Sequence, residues 1–286
     1  VHYFMVLAMI SWGIAWPNAK ILNSYFDFYD LVFLRFAFGA LCLLPLILYK
    51  LKDFKFKANF FMYIIPTSLL FLVYNLSFFM GTNYGDAGKG AVFATTTNPI
   101  ITYLIIFLIT KKTNKTDIIG IIIGCLGGII IMDVLNQGFI NIIKLENVFF
   151  PICSVIWGIM TVFTSYAQKN IAPFLFVFLC YFTTALFSWS LSTISIEELQ
   201  NLDFIFYINF LMVSVASMGF GTTVYIYATK VIGPFKSSAY IFSVPFVALI
   251  SANLILDEFI QISTILGGLL CLVSVYIINI YNKKLK

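Results

Sequence analysis

The stretch NPIITYLIIFLITKKTNKTDIIGIIIGCLGGIII, residues 98–131, recurs in outline as VPFVALISANLILDEFIQISTILGGLLCLVSVYII, residues 244–278. Each copy is a pair of apolar runs joined by a short polar loop. Pro245 answers Pro99 at an offset of 146, and Gly267 answers Gly120 at 147. Lys89 and Lys236 also stand 147 apart, and SWGI at 11–14 returns as IWGI at 156–159. The chain is therefore expected to be two copies of one unit, residues 1–140 and 141–286, forming a single embedded body.

Composition says what the body is embedded in. Of 286 residues, 61% are hydrophobic, 18% aromatic and 10% charged. A soluble domain of this size cannot hide so much apolar surface behind a polar exterior, so lipid is the solvent for most of it. Ten apolar runs lie near 3–21, 29–49, 60–82, 88–109, 117–133, 148–167, 173–194, 206–228, 236–256 and 262–281. A helix needs about 20 apolar residues to cross the hydrocarbon core. The runs are too long and too uniform for membrane β-strands, and the loops are too short to hold a soluble domain. The fold class is thus all-α, a polytopic membrane bundle of ten transmembrane helices. The first run leads into a polar loop without a small-residue cleavage site, so it is expected to be a retained helix.

Five helices per unit is an odd number, which turns the second unit upside down relative to the first. A 5+5 inverted-topology repeat is characteristic of secondary transporters, because two such halves can exchange outward-open and inward-open arrangements. The plainer reading is an old duplication in a membrane scaffold that transports nothing. Charge placement orients the bundle. On the side of the termini fall Lys50, Lys52, Lys55, Lys57, Lys111, Lys112, Lys115, Lys169, Lys230, Lys236, Lys283, Lys284 and Lys286; only Lys20, Lys89 and Lys144 fall opposite. The positive-inside rule then places both termini in the cytoplasm of a multi-pass protein of the cytoplasmic membrane.

The Trp-Gly pair in the first helix of each half, FLRF at 33–36 early in the second helix, and GPFKSSAYIFSVPFVALISANLILDEFIQISTILGGLL at 233–270 carry a family likeness. Together they resemble the EamA-type transporters of the drug/metabolite transporter superfamily. The resemblance covers the whole chain and implies ten helices, with transport of amino acids, other metabolites or drug-like compounds, often outward. The first half departs from it at Lys111 and Lys112, where the family usually has a glutamate, so Asp257 and Glu258 in the second half are read as structural.

Other chemistries find little support. GDAGKG at 85–90 lacks both the leading Gly and the trailing Ser or Thr of a phosphate-binding loop, which would fall at Asn83 and Gly90. The only histidine, His2, sits at a helix end. No nucleophile triad or pair of carboxylates converges within the apolar runs, so no catalytic residue is assigned and an enzyme is not expected. The five cysteines fall in apolar runs without metal-ligand or disulfide spacing, so neither metal nor cofactor is expected. The expected partners are a small-molecule substrate and the bilayer, with no nucleic acid, in a monomer or weak homodimer.

Site candidates come from polar and aromatic residues within the runs. Trp16, Tyr74, Asn75, Trp157, Tyr225 and Tyr240 are candidates to line an aromatic, weakly polar cavity. VFATTTNPIITYLIIFL at 92–108 places Thr95, Thr96, Thr97, Asn98 and Pro99 at mid-membrane depth. Pro99 lacks an amide hydrogen, so the helix is expected to kink or open there, with Pro99 and Pro245 as hinges. Thr97, Asn98 and Ser243 would then line a central site, against the duller reading that the hydroxyls only repair their own helix. Arg35 either snorkels to Asp27 or Asp30 or serves as a cavity or gating charge; Lys89 and Lys236 either snorkel or contact anions. Gly120, Gly124 and Gly128, with a looser row at Gly267, Cys271 and Ser274, are expected to pack each pair of helices within its own half rather than form a dimer interface.

These features favour a secondary transporter that moves a small organic metabolite, an amino acid or similar compound, outward by alternating access. The alternatives are an exchanger of organic anions, such as phosphorylated or nucleotide-linked metabolites, and a non-transporting scaffold.

Overall fold

The computed structural model describes residues 1–50, 52, 54, 58–85, 87–112, 114–131, 148–257, 259 and 262–281. The expected boundary at 140/141 and Glu258 lie outside the described residues. Among those described, every regular element is helical. The principal helices are α1 (His2–Leu22), α2 (Phe28–Tyr49), α3 (Phe61–Tyr84), α4 (Ala87–Thr110), α5 (Lys115–Ile131), α6 (Phe149–Ala167) and α7 (Pro173–Trp189), followed by α8 (Phe204–Val231), α9 (Pro234–Leu256) and α10 (Ile262–Tyr276). Seven of them are long and apolar enough to cross a bilayer; α5, α7 and α10 are shorter. Large apolar side chains such as Tyr3, Phe4, Leu41, Leu48, Leu104, Ile119, Leu254 and Leu269 lie exposed on these helices. In an all-helical bundle such a surface belongs against lipid, and the protein is a multi-pass membrane protein.

The two halves interlock rather than sit side by side. Gly13 of α1 meets α9, where an added Cβ would lie 2.5 Å from the Cβ of Val247. Gly158 of α6 meets α4 in the same way, 2.6 Å from Cγ2 of Ile101. Gly13 and Gly158 are repeat equivalents, as are Ile101 and Val247. Each half thus packs the first helix of its own repeat on the fourth helix of the other.

Helices α5 and α10 form a seam at the same boundary. A Cβ on Gly127 would lie 2.7 Å from both Sγ of Cys271 and the carbonyl oxygen of Gly267, and one on Gly120 would lie 2.4 Å from Ile278. The Ser274 hydroxyl donates to the Gly120 carbonyl at 2.6 Å, and the Cys271 thiol points at that of Gly124. As the numbers rise along α5 they fall along α10, so these equivalent helices run antiparallel, which is the inversion expected from an odd helix count. The expectation that the glycine faces pack within their own halves is overturned. Gly120 and Gly127 face α10, Gly124 faces Phe242 of α9, and only Gly128 meets its own half, at Thr96. Glycine at these positions lets backbones approach closely where lipid offers no hydrophobic drive for helix association.

The two helices that carry the repeat-equivalent prolines differ. α4 runs through Pro99 as continuous α-helix, so the kink or opening expected there is not seen as a break in the helix. The hydroxyls of Thr95, Thr96 and Thr97 donate to the carbonyls of Ala91, Val92 and Phe93 on the turn before. In α9 the α-helix gives way to a 3-10 turn at Ile241–Ser243 and resumes at Val244, with Pro245 in its first turn. A first-turn proline loses no intrahelical bond.

Candidate functional site

A cavity of about 40 Å³ lies within the bundle, where α1, α2, α3, α4, α6, α8 and α9 meet. It holds a few waters at most. Its wall begins with the repeat itself. Trp12 and Trp157, equivalent residues of the two inverted halves, meet edge to face with centroids 4.9 Å apart. Trp16 stands edge-on to Phe78 at 4.7 Å, and Tyr74 packs on Trp157 at 4.7 Å. Tyr225 backs this wall, 5.0 Å from Trp12, with its hydroxyl bonded to that of Thr161 at 2.8 Å. Aromatic faces and edges of this kind hold a flat or apolar body and attract cations to their faces.

The polar groups cluster on one part of the wall. Arg35, from α2, is buried at 6% exposure. Its Nη1 donates to Asn75 Oδ1 at 2.7 Å and its Nη2 to the Ser217 hydroxyl at 3.3 Å. Its guanidinium lies 5.0 Å from the Phe78 ring centroid and 5.8 Å from that of Phe79. Its Nε is buried without a partner. The snorkelling expectation does not describe this geometry, because both aspartates are engaged elsewhere. Asp27 caps α2 through the N–H groups of Tyr29 and Asp30, and Asp30 accepts from the Ser192 hydroxyl and the N–H groups of Thr193 and Ile194. A charged side chain at membrane depth costs about 3 kcal/mol or more, and here only neutral dipoles and ring faces offset that.

Asn98, from α4, is 2% exposed and lines the same cavity. Its Nδ2 reaches the Ser154 carbonyl at 3.5 Å, and its Oδ1 has no partner. Opposite, α8 widens into a π-helical stretch at Met212–Thr222, which brings Ser217, Met218 and Thr222 to the cavity. The Ser217 carbonyl accepts from the Trp12 indole at 3.1 Å and from the Thr222 hydroxyl at 3.3 Å. Such widened turns concentrate at functional sites, because they free carbonyls and re-aim side chains.

Of the sequence candidates, the structure brings Trp16, Arg35, Tyr74, Asn75, Asn98 and Trp157 to the cavity, with Tyr225 directly behind it. Thr97 does not line it; its hydroxyl bonds to that of Ser154 and to the Phe93 carbonyl, while Thr95 takes the lining position. Ser243 donates to the Tyr240 carbonyl, and Tyr240 pairs with His2 at the N-terminal end of the bundle. Lys236 is half-buried in the first turn of α9 and does not line the cavity. Lys89 begins α4, and its side chain lies outside those described. Pro99 and Pro245 lie next to the lining residues Asn98 and Val244. Among the lining residues that sequence reasoning missed are Trp12, Phe78, Thr95, Ser217, Met218 and Thr222. Trp12 carried a signal, since it is the repeat partner of Trp157.

At the end carrying the α1–α2 loop, the two halves are tied to each other. The Tyr25 hydroxyl donates to Asp203 Oδ1 at 2.8 Å, and the rings of Tyr25 and Phe26 pack on Phe206. The Phe206 N–H and the Tyr25 hydroxyl hold the Asp203 carboxyl below the usual carboxylate range, and the same bond to Asp203 pushes the Tyr25 hydroxyl up.

A model of the EamA-like transporter family matches residues 1–133 and again residues 145–280. The "Uncharacterized transporter YvbV" of Bacillus subtilis (strain 168) is 23% identical over 292 aligned positions, covering 99% of this chain and 92% of that one. A solved crystal structure of a protein with 12% identity shares the fold, with a TM-score of 0.70 over 99% of this chain and 98% of the other.

Proposed function

The chain belongs to the EamA-like transporter family, and from that premise we propose that it is a secondary transporter of a small organic metabolite. The cargo is an amino acid or similar compound, moved outward across the cytoplasmic membrane by alternating access. One observation carries this reading: the cavity lies where equivalent tryptophans of two inverted halves meet, lined by polar and aromatic side chains from both. A site on the pseudo-two-fold axis is the one place that both halves can expose in turn by rocking. The tie between Tyr25 and Asp203 closes one end of that path and has to part for cargo to pass.

All ten helices cross the membrane in this proposal, α5, α7 and α10 included, and both termini are cytoplasmic. A cysteine replacing Lys112 then reacts with an impermeant thiol reagent only from the cytoplasmic side, and one replacing Glu198 only from outside; the reverse pattern overturns the orientation. Function is tested by reconstituting the purified protein in liposomes with labelled amino acids and phosphorylated metabolites. Flux of an amino acid, lost on Trp157→Ala at matched protein content, supports the proposal. Flux of a phosphorylated compound alone transfers the protein to the organic-anion alternative, and the absence of any flux overturns transport.

A further inference from the structure

Arg35 is, among the described residues, the only cation lining the central cavity, and no carboxylate lines it. Resting on the transport reading above, we propose that Arg35 reads a single carboxylate on the transported molecule, and that Asn98 takes a hydrogen-bond donor beside it.

The argument starts from what the guanidinium lacks. It has five N–H donors, and its described partners are the neutral oxygens of Asn75 and Ser217. Its Nε–H edge is buried and unpartnered. Phe78 and Phe79 pack near the group and hold its plane. A planar edge with free N–H groups is the match for a carboxylate, whose two oxygens lie in one plane at the same spacing. The two nearest aspartates in sequence are held in place by backbone N–H groups and do not neutralise it. The missing negative charge therefore has to arrive with the cargo.

Charge bookkeeping narrows the class. A phosphate monoester carries about −1.5 to −2 at neutral pH, which one arginine leaves uncompensated in a low-dielectric site. An amine or amide brings no negative charge at all. A monocarboxylate balances Arg35. Asn98 then adds a second requirement, since its Oδ1 is a buried acceptor with no donor. A hydroxyl or amine next to the carboxylate fills it, the ring faces offsetting the charge of an ammonium. The Trp12, Trp16 and Trp157 rings receive the apolar remainder once the halves part and widen the closed cavity of about 40 Å³. The class is a small carboxylate with a neighbouring donor and an apolar tail.

The test is binding to purified full-length protein in detergent, by calorimetry, with two tails, benzyl and isobutyl. Each tail is presented as the α-amino acid, the carboxylate without the amine, the amide, the amine and the phosphate monoester. Carboxylates are expected to bind about tenfold or more tighter than the other three, since a hydrogen bond to a charged group is at stake. Arg35→Gln should abolish that preference, and Arg35→Lys should keep part of it. Asn98→Leu should lower the amino acid to the affinity of its counterpart without the amine. Because Arg35→Gln can fail to fold, Asn75→Asp provides a second variant: it supplies an internal carboxylate, leaves the arginine paired and should remove carboxylate binding. Equal binding of amide or amine, tightest binding of the phosphate ester, no binding of any carboxylate, or an unchanged preference in Asn75→Asp each overturn the proposal. Flux of an amine independent of Arg35 overturns it while transport stands. Carboxylate binding without flux overturns transport and leaves Arg35 as the reader of a bound carboxylate that is not carried.

Discussion

The α5–α10 seam and the central cavity both lie where the inverted halves meet, and they are built on opposite principles. At the seam, Gly120, Gly127 and Gly267 bring backbones together, and the Ser274 hydroxyl finds a carbonyl across the gap. In the cavity, large rings hold the halves apart, and Arg35 Nε and Asn98 Oδ1 are left without partners. At the cavity, space and unmet hydrogen-bonding capacity occur together. The difference separates the part of the boundary that holds the bundle from the part that is available to a solute.

Putting a large side chain into the seam is expected to have the largest effect on folding. Gly267→Leu places a Cβ 2.4 Å from the Gly127 carbonyl oxygen, a backbone atom that cannot swing aside. A loss of about 3 kcal/mol is expected, read as a lower melting temperature and a collapse of the monodisperse peak in detergent. A stable Gly267→Leu protein would erase the contrast between the two regions.

Asn98→Leu should do the reverse. It removes a buried oxygen that bonds nothing, so stability should stay within about 1 kcal/mol of wild type. Transport in liposomes should nevertheless fall about tenfold or more. If it melts early and still transports, the cavity is structural and the seam is not its opposite.

Thr97→Val sharpens the boundary within one helical turn. Thr97 is tied to Ser154 and Phe93 and stands off the cavity, so a loss of about 1 kcal/mol in stability is expected with substrate affinity unchanged. Thr95→Val, on the lining, should lower affinity.

The smallest effect belongs to the tie outside the membrane. The folded pKa of Asp203 lies below its unfolded value, so its contribution is present above about pH 4 and is lost as pH falls through the depressed value. Tyr25 is raised, so its share is present below about pH 10 and is lost as pH rises through the higher value. Protection of the amides at residues 25–28, taken as exchange relative to the intrinsic rate at each pH, should therefore be highest across neutral pH and lower at both extremes. Asp203→Asn should flatten that profile.

Much of this was legible in sequence because it depends on composition and counting. The bilayer follows from how much apolar surface the chain carries, and the inversion from five helices per repeat. Trp157, Asn75 and Asn98 could be picked out as polar or aromatic residues in apolar runs. The proline signal was less reliable. Pro99 and Pro245 occupy equivalent positions, yet of the two helices only α9 changes helix type beside its proline. The glycine rows announced close packing, but the short loops pointed to a partner in the same half, and the partner proved to lie mostly in the other half.

The sequence by itself determined the solvent, the helical class, the repeat and its inversion, because each is a sum or a period along the chain. Tertiary structure alone decided which side chains of the polar turn face the cavity. Thr95 and Thr97 are two residues apart and so about 200° apart around a helix of 3.6 residues per turn. Thr95 and Asn98, three apart, share a face. The rotation of α4 that presents one face inward is set by Gly158 against Ile101 and Gly128 against Thr96, contacts between residues 57 and 32 positions apart in the chain. No local pattern encodes that angle, since it exists only once the helices have packed.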